Sequence, residues 1–538
     1  MTTGFHFWDY FIFVAYALLI LGVGLWVSRD KTGHQKNAED YFLASKSLPW
    51  WAIGTSLIAA NISAEQFIGM SGSGFALGLA IASYEWMAAF TLIIVGKYFL
   101  PIFIEKELYT IPEFVEKRFS TNLKTILAVF WIGLYVFVNL ASVLYLGGLA
   151  IETIIGLDMV YAIVGLSLFA AAYSLYGGLS AVAWTDIIQV VFLVLGGLIT
   201  TYLALNTVAG GEGMWEGLTK VFEAAPDRFN MILEKGHPQY ENLPGIGVLV
   251  GGMWVANLYY WGFNQYIIQR TLAAKSLKES QKGILLAAGL KLIIPFIVVI
   301  PGIAAYVIVN DPALMANLGA DGLLNKPSLG EADKAYPWLL QFLPTGLKGV
   351  AFAALAAAIV SSLASMLNST STIFTMDIYK QYINKNASDK QTVNVGRISA
   401  AVALLVGAIM APLLGGIDQA FQFIQEYTGI VSPGILAVFM LGLFWKKTTN
   451  KAAIWGALVS IPIAIAFKAT TLPFLDQMGL TTLLTMLVIA LVSLWQNKGG
   501  QDEKGIELSK GIFNTSPAFN IGSFAVLIVL AALYAMFW

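Results

Sequence analysis

Residues 59–66 read Ala59-Ala60-Asn61-Ile62-Ser63-Ala64-Glu65-Gln66, and Gly69, Gly72 and Gly74 follow closely. This polar insert interrupts an otherwise apolar run over 50–74. Roughly 20 apolar residues cross a bilayer as a helix, and carboxylates or amides at that depth are costly unless they face a cavity or a partner. The insert therefore predicts a membrane helix unwound part-way across, with freed carbonyls and amides lining a site. A helix merely kinked for packing would use the Gly and Ser residues too. Asn61, Ser63, Glu65 and Gln66 together with those Gly in one span favour the unwound helix over it.

The rest of the chain supports a membrane setting. Of 538 residues, 58% are hydrophobic and 12% charged, about half the charged share of a soluble domain. Long apolar runs lie near 8–27, 50–74, 79–103, 125–149, 159–176, 184–206 and 244–268. Others follow near 283–308, 349–379, 395–414, 420–444, 452–473, 477–495 and 518–537. The chain reads as an all-α polytopic membrane protein with about 14 transmembrane helices. The first run has no basic residues before it and no small-x-small site after it, so it is expected to be a retained span.

Lys and Arg collect on the cytoplasmic side of membrane proteins. With the N-terminus outside, alternate loops place 23 of the 31 basic residues inside and 7 outside, with Lys291 left within a span. Arg29, Lys31 and Lys36 open the inner set, and Arg118, Lys124 and Arg270 are counted in it. Both termini are thus expected to be extracytoplasmic. The near balance of 31 basic and 32 acidic residues argues against a nucleic-acid partner. Zero Cys excludes disulfides, thiolate metal sites and cysteine nucleophiles.

Polar residues at depth recur along the chain. The seventh run carries Asn257, Tyr260, Trp261 and Asn264 on one helical face. The third contributes Tyr84 and Glu85, the eighth Lys291, and the eleventh Phe421, Gln425 and Glu426. A salt bridge of Lys291 with Glu85 or Glu65 is the purely structural alternative. Runs 2–6 and 7–11 form two sets of five, each opening on an interrupted helix. An odd number of spans per set inverts the second relative to the first, the arrangement that frames central sites in secondary transporters. Carboxylate, ammonium, amides and rings together suit a sugar, whose hydroxyls take bidentate bonds while an apolar face stacks on a ring.

A cation site is suggested by the ninth run, with Ala358, Ser361, Ser362, Ser365 and Ser369. The carbonyl of Ala358 lies one turn from the hydroxyls of Ser361 and Ser362. Carbonyls of Ala59 and Ile62 in the broken second run would complete five neutral oxygens, a shell suited to Na⁺. Ser and Ala in membrane helices also serve close packing.

Two further motifs carry a resemblance. Tyr176-Gly177-Gly178-Leu179-Ser180-Ala181 with Trp184-Thr185-Asp186, and Gly442-Leu443-Phe444-Trp445-Lys446-Lys447 with Gly456, are similar to patterns of the sodium/solute symporter family. The segments 59–74, 257–270 and 353–368 resemble its sodium/galactose (sodium/glucose) branch, and the resemblance covers nearly the whole chain. It implies a five-plus-five inverted-repeat core, the fold first seen in a bacterial leucine transporter. Residues 1–49 would hold an extra helix and a cytoplasmic loop, 50–243 the first repeat, 244–446 the second, and 447–538 three further helices.

By position, the resemblance implies sugar contacts at Gln66, Glu85, Asn257, Lys291 and Gln425. It implies an inner gate at Tyr260 bonded to Asn61, an outer gate of Met70, Tyr84 and Phe421, and Na⁺ ligands at Ala59, Ile62, Ala358, Ser361 and Ser362. Asp186 would lie near the sodium exit path. Ala88 stands where the branch has a serine in the sugar site, and Ala452 where the family commonly has Gly. The expected activity is Na⁺-coupled uptake of galactose or glucose by alternating access, without an organic cofactor. The chain would reside in the plasma membrane, the inner membrane of a bacterium, where a monomer can serve as the functional unit.

The alternative is a sodium-coupled symporter of another solute, of the proline, pantothenate or sialic acid type. Glu85 argues against an obligate anion. A channel would need a continuous polar pore. An enzyme would need a catalytic constellation, and the sequence offers no metal-ligand cluster, Ser–His pair or Cys.

Overall fold

Ile62 adopts φ −78° and ψ 94°, so the helix begun at Trp50 stops where the polar insert predicted a break. In this computed structural model the described residues are 5–538 except 28, 30–36, 109 and 416–418. The side chains of 38, 173, 176, 177, 320 and 321 also lie outside the description. Lys31 and Lys36, and the side chains of Tyr176 and Gly177 in the first family motif, therefore fall outside the described residues.

The helices that frame the site are α1 (Phe7–Val27), α2 (Trp50–Asn61), α3 (Ser71–Leu77), α4 (Ser83–Ile94), α5 (Thr121–Ile155) and α6 (Met159–Val208). Next come α7 (Gly252–Leu258), α8 (Gln265–Leu272), α9 (Leu277–Asn310), α10 (Leu347–Ile373) and α11 (Asp389–Met410). The last are α12 (Ala420–Phe444), α13 (Asn450–Lys468), α14 (Phe474–Gln496) and α15 (Pro517–Met536). Among the described residues the only β-type pairing is an isolated bridge between Leu48 and Ala274.

Eleven helices among the described residues are long and apolar enough to cross a membrane, fewer than the expected 14 or so. The difference has a physical origin in the interruptions. The run 50–74 is divided between α2, a π-type turn at Glu65–Met70, and α3. The run 244–268 is divided between Ile246–Val250, α7 and α8, with extended backbone at Asn264 (φ −91°, ψ 118°). The run 159–176 forms the first part of the 50-residue α6, which breaks at Gly178 (φ 64°). A side chain at Gly178 would be strained by that φ, and its Cβ would lie 2.4 Å from the Tyr41 carbonyl oxygen.

Packing sorts the helices into a centre and a rim. α6 lies along α10, and α9 packs against α2, α3 and α4, while α12, α13 and α14 pack on one another. The most apolar window of the α10 span is 94% buried, whereas that of α1 is 17% buried. A hydrophobic helix so exposed is one whose solvent is lipid. The small residues of α10, among them Ala353, Ala354, Ala357 and Ala358, let neighbouring backbones approach it closely.

Several cations counted as loop charges are in fact buried. Arg118 donates to the carbonyls of Gly442 and Thr448 at 3.0 and 2.9 Å and pairs with Asp502 at 3.1 Å. Lys124 reaches Glu116 at 2.5 Å. Burial works against the Glu116 charge, but the Lys124 and Thr121 hydrogen bonds outweigh it and hold the carboxyl below its usual range. Arg270 is wholly buried in α8, so Lys291 is not the sole buried cation.

Candidate binding site for a solute and a cation

The broken end of α2 meets α4, α7, α9 and α12 around a narrow cavity of about 50 Å³. Gln66, Glu85, Asn257, Lys291 and Gln425, the expected solute contacts, all line it. So do Asn61, Tyr260, Tyr84 and Phe421, the expected gate residues, and Ala88. Met70, expected with the outer gate, is buried but does not line the cavity. Glu426 turns away and pairs with Lys468 at 3.2 Å.

The Lys291 ammonium donates to the Glu85 carboxylate and to Asn61 Oδ1. It also stands 5.0 Å from the Trp261 ring centroid, close enough for a cation–π contribution. The ion pair weighed as a structural alternative thus forms, and it forms in the cavity wall. Asn61 Nδ2 donates to the Tyr260 hydroxyl at 2.9 Å, and the Tyr266 hydroxyl donates to Tyr260 at 2.6 Å. On another wall the Tyr84 and Phe421 rings meet edge to face with centroids 5.0 Å apart. Gly69 permits that approach, since a Cβ there would lie 3.0 Å from Phe421 Cβ.

The break also frees backbone oxygens. The Ser63 N–H donates to Gln66 Oε1 at 2.9 Å, and the Gln66 N–H donates to the Ser63 carbonyl at 3.2 Å. These are the donors a continuing helix would aim at the carbonyls of Ala59 and Ile62. Across from them, the Ser362 hydroxyl donates to the Ala60 carbonyl at 3.0 Å, tying α10 to the broken helix. Ala358, Ser361 and Ser362 are fully buried there. Among the described residues no cluster of three or more His, Asp and Glu could hold a metal ion. Carbonyls of an unwound helix with neighbouring hydroxyls suit a monovalent cation such as Na⁺.

Beside this cluster lies a charged network that sequence reading located only in part. The hydroxyls of Ser361 and Ser56 each donate to the Asp186 carboxylate at 2.5 Å. Arg270 pairs with Asp186 at 3.4 Å, donates to Ser56 at 2.6 Å, and reaches the Ser365 hydroxyl and the Tyr266 carbonyl. Hydrogen bonds thus join Ser361, Asp186 and Arg270 to the Tyr266 backbone carbonyl, and a second set joins the Tyr266 phenol, Tyr260, Asn61 and Lys291. Arg270 was counted as a loop charge because it closes an apolar run, and nothing local marks it as buried. Thr428 and Ser432 also line the cavity. Their spacing of three and seven from Gln425 was the available signal.

A polar cavity with aromatic walls, set at a helix broken part-way across, is the arrangement of a secondary transporter. The sequence model of the sodium:solute symporter family matches residues 41–460. The chain belongs to that family. It is 67% identical over 537 residues, 99% of either chain, to a sodium/glucose cotransporter of Vibrio parahaemolyticus. It is 37% identical to the human sodium/myo-inositol cotransporter 2 over 475 residues, which cover 85% of this chain and 69% of that one. Among solved structures, a substrate-bound outward-open Na⁺-coupled sialic acid symporter matches with a TM-score of 0.78 at 25% identity, covering 91% of this chain and 98% of that one. A nucleobase-cation-symport-1 family transporter in a closed conformation shares the fold, with a TM-score of 0.51 at 14% identity, covering 91% and 99%. This symporter is thus a multi-pass membrane protein of a sodium-coupled transport family, and its relatives are transporters rather than enzymes.

Proposed function

We propose that the protein takes up a hexose, galactose or glucose, together with Na⁺ by alternating access. The observation that carries this reading is the single cavity that joins the Glu85–Lys291 pair, the amides of Gln66, Asn257 and Gln425, and the rings of Tyr260, Tyr84 and Phe421. These groups bond hydroxyls and stack a ring face without demanding charge on the solute. Glu85 in the wall argues against an anionic solute of the sialic acid or pantothenate type. The relatives named for glucose and myo-inositol point to six-membered polyols.

Na⁺ would bind the carbonyls of Ala59, Ile62 and Ala358 and the hydroxyls of Ser361 and Ser362, bracing the break in α2. With the break braced, Gln66 and Asn61 are held for the sugar between Tyr260 on one side and Tyr84 with Phe421 on the other. Loss of Na⁺ past Asp186 would then loosen Asn61 and release Tyr260. Coupling is thermodynamic: each ligand shifts the equilibrium that the other also shifts. A tenfold Na⁺ gradient supplies about 1.4 kcal/mol, and 100 mV about 2.3 kcal/mol per charge. One Na⁺ per neutral sugar then sustains roughly 500-fold accumulation.

The broken helices α2 and α7–α8 open what we take to be two inverted repeats, 50–243 and 244–446, within about 14 crossings. The asymmetry of Lys and Arg supports extracytoplasmic termini in a bacterial inner membrane, with a monomer as the working unit.

Labelled galactose should accumulate in proteoliposomes under an inward Na⁺ gradient and not under a matched K⁺ gradient, with unlabelled glucose and myo-inositol as competitors. Equal uptake in both gradients would remove the coupling, and no uptake by well-folded protein would remove the hexose. Ser362→Ala takes away one proposed Na⁺ ligand and the bond to Ala60. The Na⁺ concentration for half-maximal uptake should rise about tenfold, the scale of a lost hydrogen bond or ligand. An unchanged Na⁺ dependence would displace the site from α10.

A further inference from the structure

The polar groups that line the cavity are not equally occupied. Lys291, Glu85, Asn61 and Tyr260 bond one another, Gln66 bonds Ser63, and Asn257 donates to the Met253 carbonyl at 3.2 Å. Three lining groups are left over: the Ser432 hydroxyl, the Tyr84 hydroxyl and Glu65 Oε1 are buried without a hydrogen-bond partner, and of these residues Ser432 alone is wholly buried. Buried hydroxyls without partners are rare and call for an explanation. A helical serine usually satisfies itself on a carbonyl one turn back, and Ser432 does not.

The backbone beneath Ser432 is held firmly. On the opposite side of α12, Gly434 packs so tightly on α13 that an added Cβ would lie 2.0 Å from Ser460 Oγ. Gly429, nearer Ser432, presses on Met478 of α14. Pro433 fixes φ at the next residue. The hydroxyl is therefore presented from a rigid frame, on the face that also carries Gln425 and Thr428. Ala88, which also lines the cavity, offers only a methyl group.

We propose that Ser432 is a direct substrate contact, its hydroxyl bonding one ring hydroxyl of the transported polyol and thereby helping to choose among hexoses. This rests on the hexose reading above, and the two are separable by experiment. Half-inhibitory concentrations of galactose, glucose and each monodeoxygalactose would be measured against labelled galactose uptake, for the unaltered protein and for Ser432→Ala. Galactose should weaken about three- to tenfold, as for one neutral hydrogen bond. One deoxygalactose should bind both proteins alike, because it already lacks the partner hydroxyl. Ser432→Thr, which keeps a hydroxyl, should retain most of the affinity. If Ser432→Ala accumulates poorly, Ser432→Cys carries the same comparison with a weak donor of similar size.

A uniform loss across every analogue would make Ser432 a packing residue and overturn the proposal, as would no change at all. Failure of all hexoses to compete in the unaltered protein would overturn the hexose reading and this inference together. Competition in the unaltered protein without the deoxygalactose pattern would overturn this inference alone.

Discussion

Arg270→Met is expected to cost the folded protein about 3–5 kcal/mol, the scale measured when one partner of a buried ion pair is removed. Asp186 is fully buried and pairs with Arg270 at 3.4 Å. Without the guanidinium, the carboxylate keeps the hydroxyls of Ser56 and Ser361 but loses its counter-charge. Ser365 and the Tyr266 carbonyl lose a donor at the same time. Adding Asp186→Asn to Arg270→Met should restore more than half of the loss, because the charge left without compensation is then gone. Thermal unfolding in detergent, followed by intrinsic fluorescence, reads both effects. A single variant that unfolds at the unaltered midpoint would show that the pair contributes nothing to stability.

Lys291→Met is expected to lower uptake of the proposed hexose about a hundredfold or more while the protein remains monodisperse. Lys291 makes two charge-assisted bonds, to Glu85 and Asn61, each worth about 1.5–3 kcal/mol. Their loss leaves Glu85 buried without its cation and frees Asn61, whose amide holds the Tyr260 hydroxyl at 2.9 Å. Binding and the gate therefore fail together, which a residue confined to either role would not produce. Lys291→Arg should recover little, since a planar fork cannot occupy the place of a compact ammonium among Glu85, Asn61 and Trp261. Initial rates in proteoliposomes test this. Near-normal rates for Lys291→Met would mean the solute lies elsewhere.

How far the site was readable depended on the range of each interaction. The break at residues 62–64 was legible because Asn, Ser, Glu and Gln are costly within a hydrophobic span, and that cost depends only on local composition. Cavity-facing residues on α7 and α12 were legible in part, since helical spacing puts Asn257 with Tyr260 and Phe421 with Gln425 on common faces. Position along the chain does not say which residues border the cavity: Met70, four residues after Gln66, is buried and does not line it. The count of about 14 spans met the same difficulty. Hydropathy measures a run, whereas an uninterrupted helix also needs backbone continuity, which Ile62, Asn264 and Gly178 break.

The sequence by itself determined the bilayer as solvent, the all-helical class, the position of the decisive break and the chemistry available around it, because transfer free energy and helical period are properties of short segments. Only the tertiary structure decided which polar groups meet. Lys291 finds Asn61 across 230 residues and Arg270 finds Ser56 across 214. It also decided which group is left without a partner, as at Ser432. Such pairings depend on how whole helices pack, and in a medium that offers buried polar groups no water, packing settles where each charge can reside.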